Sequence, residues 1–336
     1  MKTKTTPTWA KVRSADIPVI GVYADNDATC KLTDSLYLAV LRTTTRAVRV
    51  CEPAPIDTPA GGFYVAPIQS LDAVKCSGRV VLTQWETDRL PPDVVLKLNQ
   101  ARAVMTISPW CAEVFRKSGV TVPVHAIRLG IDQSLFFPDQ SIFPPTFTFL
   151  TAGRNRGDRR KGVENVIAAF VLAFSHDHNV GLRIKLGPND PAPDFSSGRI
   201  QYIREQLKPE QMVHLYRTAT CYVNGSYGEG FGLHLLEAMA CGCPVISTYW
   251  GGVTSFLQER PANFYRIPHK LVPAHRHFGY GKWAQPDIPA MAEAMLTVVA
   301  NGRRFFCRGE FGVDSVADFT SAAMLASMSA IVKHYV

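Results

Sequence analysis

YGEGFGLHLLEAMACGCPVIS, residues 227–247, reads as three pieces in series: a glycine-rich loop, an apolar helix and a short strand. Gly228, Gly230 and Gly232 let the loop backbone come close to a ligand. Leu233, Leu236 and Ala240 recur at core spacing, so a helix is expected over 232–241 and a strand over 244–247. Such a series is one step of a parallel α/β sheet. Two carboxylates interrupt it. Glu229 lies in the loop, and Glu237 sits on the helix among the apolar positions. A carboxylate in that setting is costly unless it accepts hydrogen bonds, and neighbouring ribose or hexose hydroxyls can donate two at once. The alternatives are that Glu237 meets a backbone group or an arginine, and that Glu229 only complements the helix dipole.

The same alternation extends outward in both directions. Strands are expected at 17–23, 80–85, 103–108 and 122–127, with helices between them such as PWCAEVFRKSG, from Pro109 to Gly119. After Asp132 a proline-bearing stretch with little periodicity, DQSLFFPDQSIFPPT, reads as a linker. The alternation then restarts: strands at 147–153, 182–187, 199–203, 221–225 and 244–247, and helices at 162–175, 209–219 and 232–241. Helical stretches at 287–300 and about 314–335 close the chain. The fold class expected is α/β, two doubly wound Rossmann-like halves facing across a cleft. The domains expected are 1–138, 139–313 and a C-terminal helix, 314–336, packing back on the N-terminal half.

Bulk properties limit the function. A chain of 336 residues with 46% apolar and 19% charged residues can bury two ordinary cores. The first twenty residues hold no apolar run of signal-peptide length, and no later stretch approaches the ~20 apolar residues of a membrane span; a cytoplasmic protein is expected. Its eight cysteines are scattered, and the CxC of Cys241 and Cys243 lacks the further ligands of a zinc site. Buried, reduced thiols and no bound metal are the expectation. The net charge of +8 favours anionic partners: nucleotide phosphates, nucleic acid or an acidic membrane surface met peripherally.

The densest basic cluster, RNRGDRRK (154–161), lies in a short loop between a strand ending at Gly153 and a helix beginning near Gly162. Amides at the helix start and the positive end of its dipole suit a phosphate, and Arg154 and Lys161 add charge. A solvated basic turn is the alternative, since neither a Walker lysine nor GxGxxG is present.

The run EGFGLHLLEAMACGCPVI resembles the E-x7-E motif of retaining GT-B glycosyltransferases, of the glycosyltransferase family 4 type, in its flanking residues as well as its glutamates. GRNRGDRRKG resembles the family's basic G-R … K-G pattern. TQWETDRLPP, TISPWCAEVFRKSGV, IRLGIDQSLFFP, WGGVTSFL and GKWAQPD agree with it over roughly residues 80–300. The resemblance implies that Glu229 contacts the donor sugar, Glu237 the ribose, the Gly230–Gly232 amides the diphosphate, and Arg154 and Lys161 the leaving group. The donor-binding set it implies is Gly153, Arg154, Lys161, Arg204, Gly228, Glu229, Gly230, Phe231, Gly232, Leu233 and Glu237. The family's N-domain histidine has no counterpart before His125, so Glu86, at a strand end, is the acceptor-side candidate.

The resemblance therefore implies a metal-independent transfer of a hexose from a UDP- or GDP-sugar to a carbohydrate, lipid-linked or nucleic-acid hydroxyl, with no cofactor beyond the donor. Two other readings stand beside it: a nucleic-acid-binding or DNA-modifying protein, and an inactive module that binds sugar nucleotides. Basic stripes with interleaved aromatics, which the first would need, are lacking.

Overall fold

The computed structural model describes residues 19–23, 48–51, 62–65, 71, 78–139, 141–142, 146–153, 159–176, 179–195, 197–257, 264–275, 279–302 and 316–335. Six strands form the first sheet: β1 (Val19–Tyr23), β2 (Val48–Cys51), β3 (Gly62–Val65), β4 (Val80–Leu82), β5 (Ala103–Thr106) and β6 (Val124–Ala126). Their order is β2-β1-β3-β4-β5-β6 and every pairing is parallel. Helices α1 (Pro92–Leu98) and α2 (Pro109–Lys117) follow β4 and β5. Sequence sets the ends of α2 directly: the Ser108 side chain accepts from the Cys111 amide, Pro109 opens the first turn, and Gly119, at φ 106°, follows the last.

The second sheet holds β7 (Phe147–Ala152), β8 (Val180–Lys185), β9 (Ile200–Ile203), β10 (Cys221–Asn224), β11 (Val245–Thr248) and β12 (Phe264–Ile267). Its order, β12-β11-β10-β7-β8-β9, is again all parallel. Helices α3 (Val163–Ala173), α4 (Pro209–Arg217), α5 (Leu233–Ala240) and α6 (Ile288–Ala300) serve this half, and α7 (Ser321–Tyr335) ends the chain. The chain order reverses between β7 and β10, which places the crevice of this doubly wound sheet beyond the carboxyl ends of those two strands. The loops after β7 and β10 are the basic loop and the glycine loop.

An antiparallel hairpin, β13 (His269–Pro273) and β14 (Lys282–Pro286), extends from the second half to the first. Lys282 N donates to Asp88 Oδ1 at 2.6 Å, Asp88 N to the Lys282 carbonyl, and Thr87 Oγ1 to the Tyr280 carbonyl. Trp283 is fully buried among Val81, Trp85, Leu90, Val95 and Phe115 of the first half. The C-terminal residues cross the same way. Ile131 N donates to the Phe319 carbonyl, Ser321 N to the Ile131 carbonyl, and the Tyr335 hydroxyl lies 2.8 Å from His125 Nε2 on β6.

One apolar core runs between the halves, with Leu82, Met105 and Ile127 in the same cluster as Tyr216, Leu236 and Met324. A separate cluster seals α3 and α6 onto the far face of the second sheet. Cys111, Cys221, Cys241 and Cys243 are buried free thiols, as expected of them. Among the described residues no helix is long and apolar enough to cross a membrane.

Candidate functional site

The glycine loop is held between two backbones. A Cβ on Gly228 would overlap the Glu86 carbonyl of the first half, and one on Gly252 would overlap the Gly230 carbonyl. Gly252 N also donates to the Glu229 carbonyl at 2.7 Å. From the first half, the buried Cys111 thiol donates to the Trp85 and Gly230 carbonyls, and burial raises its pKa to about 11. This loop then enters α5 through Gly232 at φ 95°, which a side chain would not tolerate beside Val253. Among the described residues, the amides of Gly230, Phe231 and Gly232 donate no hydrogen bond. Three unspent donors thus gather at a helix N-terminus, a suitable setting for an anion.

The basic loop meets it from the neighbouring strand. Arg159 and Gly162 both take positive φ, 54° and 56°, bending the chain so that Arg160 and Lys161 reach the glycine loop. Close packing of Gly162 against the Gly225 carbonyl, and of Gly153 against the Lys161 side chain, holds this bend in place. Lys161 Nζ donates to both oxygens of Glu229, at 2.7 and 2.9 Å. Arg160 Nη1 donates to the Gly228 carbonyl at 2.7 Å and lies 3.6 Å from Glu229 Oε2.

Burial opposes ionisation of Glu229, but the charges of Lys161 and Arg160, with hydrogen bonds from Lys161 and Ser226, outweigh it and hold its pKa at about 2. For Lys161 the balance tips the other way: burial lowers its pKa despite the counter-charge of Glu229. At neutral pH Glu229 therefore carries no proton; it acts as a hydrogen-bond acceptor and an electrostatic partner, not as an acid.

Glu237 lies in the second turn of α5. Tyr216, on α4, donates its hydroxyl to Glu237 Oε2 at 2.7 Å, and His234 Nδ1 lies 3.2 Å from the same oxygen. Among the described residues, neither the backbone contact nor the arginine expected as alternatives is its partner. His234 is thus tied to this carboxylate.

Glu86 is 7% exposed, its carbonyl against Gly228 and its carboxylate 3.4 Å from Gln84 Nε2, so the acceptor-side candidate borders the same loop. Phe231 is a core residue, its ring on Phe256 and Phe319, so its side chain is committed to the core and only its backbone is left for a ligand. Leu233 is half-buried at the first turn of α5. Arg204 is exposed just beyond β9 and has no partner among the described residues. Arg154 lies outside the described residues, as does His277. His275 packs edge-on against Trp283.

Sequence reasoning missed Arg160 and Tyr216. For Arg160 the only signal was its place in the basic run; Tyr216 looked like one more apolar position of a helix. Among the described residues no group of three or more His, Cys, Asp or Glu side chains could hold a metal ion.

Two parallel doubly wound halves across a crevice define a GT-B fold. Over 94% of its length the chain superposes on 98% of the sucrose-phosphate synthase of Thermosynechococcus elongatus, with a TM-score of 0.71 and 16% identity. It likewise matches Anabaena Alr3699/HepE, a structure in complex with UDP and glucose, over 94% of this chain and 91% of that one, at TM-score 0.65 and 14% identity. Residues 146–301 match the family model described as glycosyl transferases group 1. The D-inositol 3-phosphate glycosyltransferase of Pseudarthrobacter chlorophenolicus is 30% identical over 173 residues, 46% of this chain. The chain spans 41% of that relative's length.

Proposed function

We propose that this chain is a retaining, metal-independent glycosyltransferase that moves a hexose from a UDP- or GDP-sugar to a hydroxyl acceptor. The observation that carries the reading is the meeting of the Lys161–Glu229 pair with the unspent amides of the glycine loop, at the point where the second sheet reverses its order. The donor's diphosphate lies against those amides, with Lys161 and Arg160 offsetting the charge that grows on the leaving group. Glu229 accepts from sugar hydroxyls through the lone pairs that Lys161 leaves open, and Glu237 accepts from the ribose. The acceptor enters from the side of Glu86. The UDP and glucose bound by the Anabaena neighbour support a UDP-sugar as donor, and relatives named glycosyltransferases support sugar transfer.

The reading is tested by calorimetric titration with UDP-, GDP- and ADP-sugars, followed by mass spectrometry of products from a mixed acceptor panel. At least one UDP- or GDP-sugar is expected to bind and turn over. Lys161→Ala is expected to lower kcat about 10²- to 10³-fold, the scale of losing one transition-state charge donor. Glu237→Gln is expected mainly to raise KM. No binding at millimolar concentration of any donor overturns the proposal.

A further inference from the structure

Tyr216 is fully buried, yet its hydroxyl points at a carboxylate and not at a backbone carbonyl. Its proton is spent on Glu237 Oε2, so its oxygen can act toward His234 Nδ1, 3.0 Å away, only as an acceptor. Nδ1 faces two acceptors, the phenol oxygen and Oε2, and is therefore the protonated nitrogen of His234. Both donors thus converge on one oxygen of Glu237. Oε1 receives no hydrogen bond among the described residues, and the side chain keeps 14% exposure. The ring of Tyr216 sits edge-on against Tyr222, at 5.9 Å, and Tyr222 donates to the Ala152 carbonyl at the end of β7, next to Gly153. A rigid path therefore links Glu237 to the strand that carries the basic loop.

We propose that Tyr216 is a positioning residue, which with His234 engages Oε2 of Glu237 and leaves Oε1 presented to the ribose hydroxyls of the donor. The inference rests on the assignment of Glu237 to the ribose. Burial, and then the charge of Glu237, raise the Tyr216 pKa well above that of a free phenol, so the hydroxyl remains a donor at every working pH. A carboxylate whose torsion is held before the ligand arrives loses less freedom on binding than one that must be ordered.

The test compares UDP and GDP with their 2′-deoxy and 3′-deoxy forms by titration calorimetry. In the wild-type protein the ribonucleotide that binds is expected to outcompete its deoxy forms. Tyr216→Phe, which deletes one oxygen and keeps the ring, is expected to weaken the ribonucleotide about tenfold, the scale of one charge-assisted hydrogen bond. Its affinity for the deoxy forms should barely change, so the ratio falls toward one. His234→Ala, on a half-exposed face, should move the ratio the same way by less, and provides the readout should the phenylalanine variant fold poorly. A ratio that both variants retain overturns the role of Tyr216 alone. A wild-type protein indifferent to the deoxy forms overturns the ribose assignment and the inference with it.

Discussion

Within the Lys161–Glu229 pair, burial and charge compete with opposite results on the two partners. Two cations serve the carboxylate, so attraction wins there and its pKa falls to about 2; the lysine faces Arg160 as well as Glu229, so burial wins and its pKa falls too. The net worth of such a pair is smaller than its attraction suggests, whereas removing one member strands the other. Glu229→Gln is accordingly expected to cost about 3 kcal/mol or more at neutral pH, because Lys161 and Arg160 stay buried without their counter-ion. The pH dependence has a definite sign. Glu229 is depressed from 4.5 to about 2, so its contribution is complete above pH 4.5 and fades as pH falls toward about 2. Urea midpoints of the wild type and Glu229→Gln should therefore converge between pH 6 and pH 3, and a constant gap would rule out the ion pair as the source.

Two elements, the glycine loop and the 251–255 turn, are built to the tolerance of a hydrogen atom. A methyl group on Gly252 would meet the Gly230 carbonyl and the Phe231 amide, whereas one on Gly198 would meet nothing within 4 Å. Gly252→Ala is expected to destabilise by about 1–3 kcal/mol, the usual cost of overpacking, and Gly198→Ala to stay within about 0.5 kcal/mol. Equal effects in thermal denaturation would show that the loop is not confined from below. One element that sequence patterning passed over is the β13–β14 hairpin. Its stretch, HKLVPAHRHFGYGKWAQP, mixes prolines and histidines into the apolar positions and loses the period of two by which strands are recognised. Strands β2, β3 and β12 were also not read.

Across the whole molecule, the hairpin and the C-terminal helix both return to the N-terminal half, so the halves share cores in two places besides the linker. Trp283 is the largest fully buried side chain committed to this union. Trp283→Ala is expected to cost about 3–5 kcal/mol, and in calorimetry to split a single unfolding transition into two; one transition at an unchanged midpoint would show that the hairpin does not join them. Much of this architecture was legible beforehand. The strands and helices from Phe147 to Thr248 follow from local periodicity, with ends displaced by a residue or two, and the glutamates of the glycine loop and α5 stand out as charges where apolar residues are expected. Sequence alone thus determined the α/β class, the order of elements from Phe147 to Thr248 and the identity of two carboxylates. Only the tertiary structure decided which partners they meet: Arg160 and Lys161 for Glu229, Tyr216 and His234 for Glu237. Glu229 and its cations lie 68 and 69 residues apart in the chain and are brought together by the pairing of β7 with β10. Strand order is set by packing across the entire sheet, and no local pattern of side chains encodes it.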